Sequence, residues 1–218
     1  NFGMKNYYVI LFLLFNSSIY SQSESSDLIL RYGILHRSNG EKFTSIESGA
    51  HIFDNDELRI NVEFKDSLSC YIIYKDPEDN VMMFYNSADS TSSNSTVLIF
   101  GTTGTKKFFP PSGKETIYLL LSKNRLDKLE KIIKDLYKSR GGRAKKFFKR
   151  FLLEIEKLAT SKNERKNIAS RLDKPIVGGV SFRGENDEIN LYSLTHKATG
   201  KDVIVEEIIL EHLDVKKD

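Results

Sequence analysis

What most constrains this chain is a change of hydrophobic period partway along it. Between residues 58 and 64, apolar Leu58, Ile60, Val62 and Phe64 alternate with Arg59, Asn61 and Glu63, the period of two that marks a strand with one buried face. From Leu126 the spacing changes. Leu126, Leu129, Ile133 and Leu136 recur at intervals of three and four, which places them on one face of a helix. Strands gathered in one block and helices in another are the order of an α+β chain.

The strand block runs from about residue 27 to 121. Residues 68–74 read as a shorter, more uniformly apolar strand. The turn formers Asp76-Pro77-Glu78-Asp79-Asn80 lead from it into residues 81–85, and together these segments predict a hairpin. After a Ser/Thr/Asn-rich loop at 86–96, residues 97–100 and 116–121 supply two more strands. Short strands at roughly ten-residue spacing predict a β-sandwich or barrel.

Gly141-Gly142 separates the first helix from a second, whose apolar stripe is Phe147, Phe148, Phe151, Leu152, Ile155 and Leu158. Ser161-Lys162-Asn163-Glu164 has the form of a capping box and predicts a third short helix through Ile168 and Leu172, ended by Pro175. Residues 189–196 and 203–210 flank the turn Ala198-Thr199-Gly200-Lys201 and read as a C-terminal hairpin. A lone hairpin is marginal, so it is expected to dock on the earlier sheet and bracket the helices as an insertion. The expected architecture is an antiparallel β-sandwich-like domain (22–122), a helical insert of two to three helices (123–174) and a C-terminal β-hairpin (175–218).

Ahead of these lies a segment of a different kind. Met4-Lys5-Asn6, then nine apolar residues at 7–15, then a short polar stretch to Ser21-Gln22, form the three-part layout of a secretory signal peptide. The apolar run is too short for a membrane span, which needs about 20 residues. Cleavage is expected after Ser21, and Asn1-Phe2-Gly3 read as lying upstream of a start at Met4. The expected location is periplasmic or extracellular. In an oxidising compartment the lone Cys70 must be buried, paired between chains or reactive, and its place in an apolar strand predicts burial.

Composition narrows the chemistry. One Cys rules out an internal disulfide and a Cys-rich zinc site, and His36, His51, His196 and His212 lack the paired helical spacing of zinc enzymes. Gly101-Thr102-Thr103-Gly104-Thr105-Lys106 lacks the ending of a phosphate loop and reads as a strand connection. The acidic turns at 54–57 and 76–80 do not follow a calcium-loop pattern, so turn chemistry explains them better. No nucleophile elbow or paired carboxylates stand out. No catalytic residue, metal or cofactor is therefore assigned.

Charge is the remaining signal. The formal net charge of +3 hides a division: residues 123–174 carry 18 Lys+Arg against 7 Asp+Glu, a balance of +11, and the rest of the chain is −8. The densest part spans residues 138–150, with seven bases and no acid. Arg140, Arg143, Lys145, Lys146, Lys149 and Arg150 are the candidate anion-binding residues, because clustered bases attract polyanions and a basic helix carrying Phe can lie on an anionic membrane. The plainer reading is a solvated face whose charge complements the acidic remainder. For an exported chain, phospholipid head groups or acidic envelope polymers are the expected targets, and intracellular nucleic acid is not.

Several landmarks also fall in order: Gly49 ahead of Asn55-Asp56; Leu58-Arg59-Ile60-Asn61-Val62; Tyr71-Ile72-Ile73-Tyr74; Phe84-Tyr85-Asn86; and Phe108-Phe109-Pro110-Pro111-Ser112-Gly113-Lys114-Glu115 leading into Ile117-Tyr118-Leu119-Leu120-Leu121. Over roughly residues 41–126 the chain resembles the bacterial exported domain of unknown function 4384, with Asn80 standing where that family commonly has a turn Gly. The resemblance implies a secreted or envelope-associated β-rich module and carries no catalytic residues. The expected function is an exported, non-enzymatic binding or accessory module of the cell envelope, recognising a protein or other ligand. The alternative is an anionic-surface binder acting through the basic helices.

Overall fold

The computed structural model describes residues 28–38, 40–65, 67–89, 96–99, 105–160, 164–167 and 194–214. In chain order the strands are β1 (Leu28–Arg37), β2 (Thr44–Ile46), β3 (His51–Phe53), β4 (Glu57–Glu63), β5 (Ser69–Lys75), β6 (Val81–Asn86), β7 (Thr96–Ile99), β8 (Lys106–Lys107) and β9 (Gly113–Ser122). Helices α1 (Asp127–Tyr137) and α2 (Gly141–Ala159) follow, then β10 (Glu164–Asn167), β11 (His196–Gly200) and β12 (Val203–Leu213). The protein is mixed α+β, a sheet-rich domain with a small helical insert.

The first sheet runs β10-β11-β1-β4-β7, with β2 and β8 as short additions beside β1 and β4. The second runs β3-β12-β9-β5-β6. All pairings are antiparallel except β3 with β12. Leu30, Tyr32 and Ile34 of β1 and Leu58, Ile60 and Val62 of β4 meet Cys70, Ile72, Ile117, Leu119, Ile204 and Ile208 of the second sheet in one inter-sheet core. Period-two alternation in β4 is thus the signature of one buried face. The other face of β4 is polar, and there Arg59 and Arg37 stack over Phe43 at 4.1 and 4.6 Å.

The uniformly apolar strands β5 and β9 have a different reason. Their second face is also covered: Tyr71, Ile73, Tyr118 and Leu120 pack against Leu129, Ile132 and Ile133 of α1 and Phe151 and Ile155 of α2. A strand buried on both faces cannot alternate. Each such side chain removed from water contributes roughly 1.5–3 kcal/mol, so the helical layer is as much part of the fold as the facing sheet.

Residues 76–80 form the expected hairpin turn between β5 and β6. Asp76 accepts the backbone N–H groups of Glu78 and Asn80 at 2.9 and 2.8 Å, and Asp79 takes a positive φ of 64°. Pro77 of this turn lies against the start of β9, and only a glycine tolerates the approach: a Cβ on Gly113, whose φ is 145°, would sit 2.9 Å from Pro77 Cβ.

Two expectations are corrected. The capping-box stretch does not start a third helix, because residues 164–167 form β10, paired with β11. Backbone pairing at a sheet edge there outweighs a local capping motif. The C-terminal strands do follow one another, but the turn falls at Lys201-Asp202, with Ala198, Thr199 and Gly200 held in β11 by sheet pairing. They do not form a paired hairpin: β11 joins β1 and β10 in the first sheet, and β12 joins β9 and β3 in the second. Ala198 and Ile204 both belong to the inter-sheet core, which the chain closes from opposite sides by crossing between sheets at Lys201-Asp202. Because β12 lies beside β9, the helices between them in sequence are an insertion in this sheet. The signal-like segment, the glycines of residues 101–104 and residues 168–193 lie outside the described residues.

Candidate functional site

The basic face is built on the helical layer. Leu126, which precedes α1, has no side-chain cap, but its N–H donates to the Tyr71 hydroxyl of β5 at 2.9 Å, and that hydroxyl donates to Glu130 Oε1 at 2.9 Å. Burial, reinforced by Glu130, pushes the Tyr71 hydroxyl up to about 12. Burial also works to raise Glu130, yet the paired Arg125 guanidinium, at 2.9 and 2.6 Å, and Tyr71 hold its carboxyl below its usual value. Strand β5 therefore fixes where α1 starts. At the other end of α1, Tyr137 Oη accepts the Met83 N–H at 2.7 Å, satisfying a backbone donor on edge strand β6.

Lys138, Ser139 and Arg140 turn the chain. Gly141 opens α2 with a φ of 56°, and Lys128 at the start of α1 pairs with the buried Glu154 near the end of α2, so the helices run antiparallel. Phe151 meets the Tyr118 ring edge-on with centroids 5.7 Å apart. With Phe151, Ile155, Phe148 and Leu158 turned to the sheet, helical geometry sends the bases outward.

The structure separates the six predicted anion-binding residues into five and one. Arg143, Lys145, Lys146, Lys149 and Arg150 are all exposed on α2. Arg140 instead donates to the carbonyls of Tyr137 and Ser139 at 3.3 and 2.9 Å, covering the end of α1. Arg150 lies over the Phe147 ring at 5.5 Å. None of the five has a carboxylate partner among the described residues. Their spacing sets like charges together: Lys145 with Lys149 and Lys146 with Arg150 are four apart, each pair costing a helix about 0.2–0.5 kcal/mol. The first turn of α2 also lacks an acid, so bases crowd the positive end of the helix dipole.

One residue of the apolar stripe read from the sequence lies differently. Leu152 is 38% exposed and its neighbour Leu153 is 55% exposed, both among the bases. A helix of this composition has more leucine than its inner face can cover, a signal present in the sequence as the run Phe151-Leu152-Leu153.

A second concentration of charge went unforeseen. His212 of β12 lies fully buried between two carboxylates, Nδ1 3.2 Å from Glu115 Oε1 and Nε2 3.0 Å from Asp54 Oδ1. Tyr74 donates its hydroxyl to the other Glu115 oxygen, and Lys106 lies over the Tyr74 ring at 5.1 Å. A neutral ring carries one N–H, so both His212 contacts are hydrogen bonds only when a second proton sits on the ring or on one of the two carboxyl groups. Burial raises Glu115 above its usual range, while Tyr74 and His212 work to lower it. Nearby, His36 meets Asp56 at 2.6 Å, and Asp56 also accepts the Phe53 N–H at 2.8 Å. The oxygens of the 54–57 turn thus face protein partners, and among the described residues no cluster of His, Cys, Asp and Glu could hold a metal ion. Cys70 is buried as expected, and desolvation pushes its thiol up.

No family model matches the chain, and neither a curated protein nor a solved structure matches it.

Proposed function

We propose that this chain is an exported, non-enzymatic binding module of the cell envelope that engages an anionic surface through the outer face of α2. One observation supports this above the plainer solvated-face reading. A face that serves only solubility, or that complements the acidic body, is expected to set opposite charges at helical spacing or against carboxylates. Here none of the five exposed bases meets a carboxylate among the described residues, and the one acid at helical spacing from any of them, Glu154 four residues after Arg150, is buried and paired with Lys128 instead. The like-charge spacing comes at a small cost to the helix itself. The signal-like segment at residues 4–22 supports export. The perturbed titratable groups sit in hydrogen-bonded networks that tie strands together, which fits a scaffold better than a reaction centre.

Binding to anionic phospholipid vesicles and to immobilised polyphosphate tests the reading. Retention at low salt that falls as salt rises is expected, with loss on replacing Lys145, Lys146, Lys149 and Arg150 by Gln. Absence of binding to both at low salt contradicts it.

A further inference from the structure

The two leucines identify which anionic surface the basic face suits. Leu153 lies four residues after Lys149 and seven after Lys146, and Leu152 lies three after Lys149 and seven after Lys145. Both are therefore neighbours of lysines on the helix surface. The remaining charged groups on the exposed face of α2 are Arg143, Arg150 and Lys157 and a single acid, Glu156. A soluble acidic polymer asks only for bases. An apolar pair set among long basic side chains fits a layered partner, with anionic groups outside and hydrocarbon beneath.

The fold limits how such a partner can be met. Phe151 and Ile155 pin the inner face of α2 to the second sheet, and no described helix is long and apolar enough to cross a membrane. The helix is roughly 28 Å long at 1.5 Å per residue and presents its outer face along that length. It can lie in the plane of an interface, where apolar side chains reach about 5–10 Å into the boundary between head groups and acyl chains. Lysine stems flanking them can extend along apolar surface and keep their ammonium groups among the phosphates.

We infer that α2 is a membrane-interface helix, docking flat on an anionic phospholipid bilayer with Leu152 and Leu153 entering the acyl boundary. This rests on the reading of the basic face given above and adds the ligand class to it. Glu156 is the one group on this face that opposes docking, so Glu156→Gln tightens it.

The chain contains no Trp, which makes Leu153→Trp a unique reporter in the full-length mature protein. The free protein is expected to emit as a solvent-exposed indole, to shift to shorter wavelength on phosphatidylglycerol vesicles, and to stay unshifted when saturated with soluble polyphosphate. The double variant Leu152→Ser/Leu153→Ser is expected to lose at least tenfold in vesicle affinity and to bind polyphosphate as the parent does. Both positions are exposed, and an unchanged melting temperature confirms the fold. An unshifted indole on protein-saturated vesicles, an indole already shielded in the free protein, or undiminished vesicle binding by the double variant overturns the inference. If polyphosphate and vesicles both bind and the leucines are neutral, the basic-face reading survives and the bilayer inference fails. If neither binds, both fail.

Discussion

Around His212, two carboxylates, an imidazole and a phenol are drawn out of water, and each faces a partner on another strand or turn. Along the outer face of α2, five bases stand exposed, and none of them meets a carboxylate among the described residues. A buried charge left unpaired is so costly that selection for folding alone completes its network. An exposed base costs little either way, so nothing in folding requires five of them at repulsive spacing. The first region reports what holds the molecule together, and the second points to what it meets.

The sharpest way to break that comparison is to cut each region separately. Glu115→Ala leaves His212 and the Tyr74 hydroxyl buried without their shared acceptor and should cost about 3–5 kcal/mol in urea denaturation. Vesicle binding by the folded fraction should be unchanged. A loss below about 1 kcal/mol would mean the network is not structural. Phe151→Ala should cost a similar amount, about 3–5 kcal/mol, because it empties the contact between α2 and Tyr118.

Titration separates two kinds of carboxylate. Glu115 is raised above 4.5, so its contribution to stability is present below that value and is lost as pH rises through its folded value. The stability of the parent relative to Glu115→Gln should therefore fall as pH climbs above 4.5. Glu130 is lowered from 4.5, so its contribution is present above 4.5 and lost as pH falls through its folded value. The parent relative to Glu130→Gln should lose stability on acidification. Paired pH series of chemical denaturation would show slopes of opposite sign, and equal slopes would contradict the assignment.

The smallest effect on stability belongs to the basic face. Replacing Lys145, Lys146, Lys149 and Arg150 by Gln should move stability by no more than about 0.5 kcal/mol in thermal melts, since surface changes rarely do more. Relief of the like-charge pairs makes a slight gain the expected direction. A clear loss would show that the bases hold the fold after all.

How much of this was legible in the sequence depends on the distance over which the cause acts. The alternation of Leu58, Ile60 and Val62 and the three-and-four spacing of Leu129, Ile133 and Leu136 are local, and they located the sheet block and the helical insert. Residues 68–74 looked more uniformly apolar because α1 and α2 cover their second face, a fact the strand itself does not contain. The crossing of the chain between sheets after β11 depends on β1 and β9, far away in sequence, and the stretch 198–201 that reads as a turn gives Ala198, Thr199 and Gly200 to β11, the chain turning at Lys201-Asp202. His212 finds Glu115 and Asp54 across separations of 97 and 158 residues, so no spacing rule could join them. Of the candidate site, the bases were visible as composition. Their lack of carboxylate partners among the described residues, the diversion of Arg140 to the end of α1 and the outward turn of Leu152 needed the packed helices.

The central claim, that the outer face of α2 is the binding surface, is tested most directly by the affinity of the protein for anionic vesicles, measured beside its Lys145→Gln/Lys146→Gln/Lys149→Gln/Arg150→Gln variant across a salt series. At about 1 kcal/mol per base near an anionic surface, four neutralisations should weaken binding by roughly a thousandfold at low salt and flatten its salt dependence. Equal affinities and equal salt slopes for the two proteins would contradict the account.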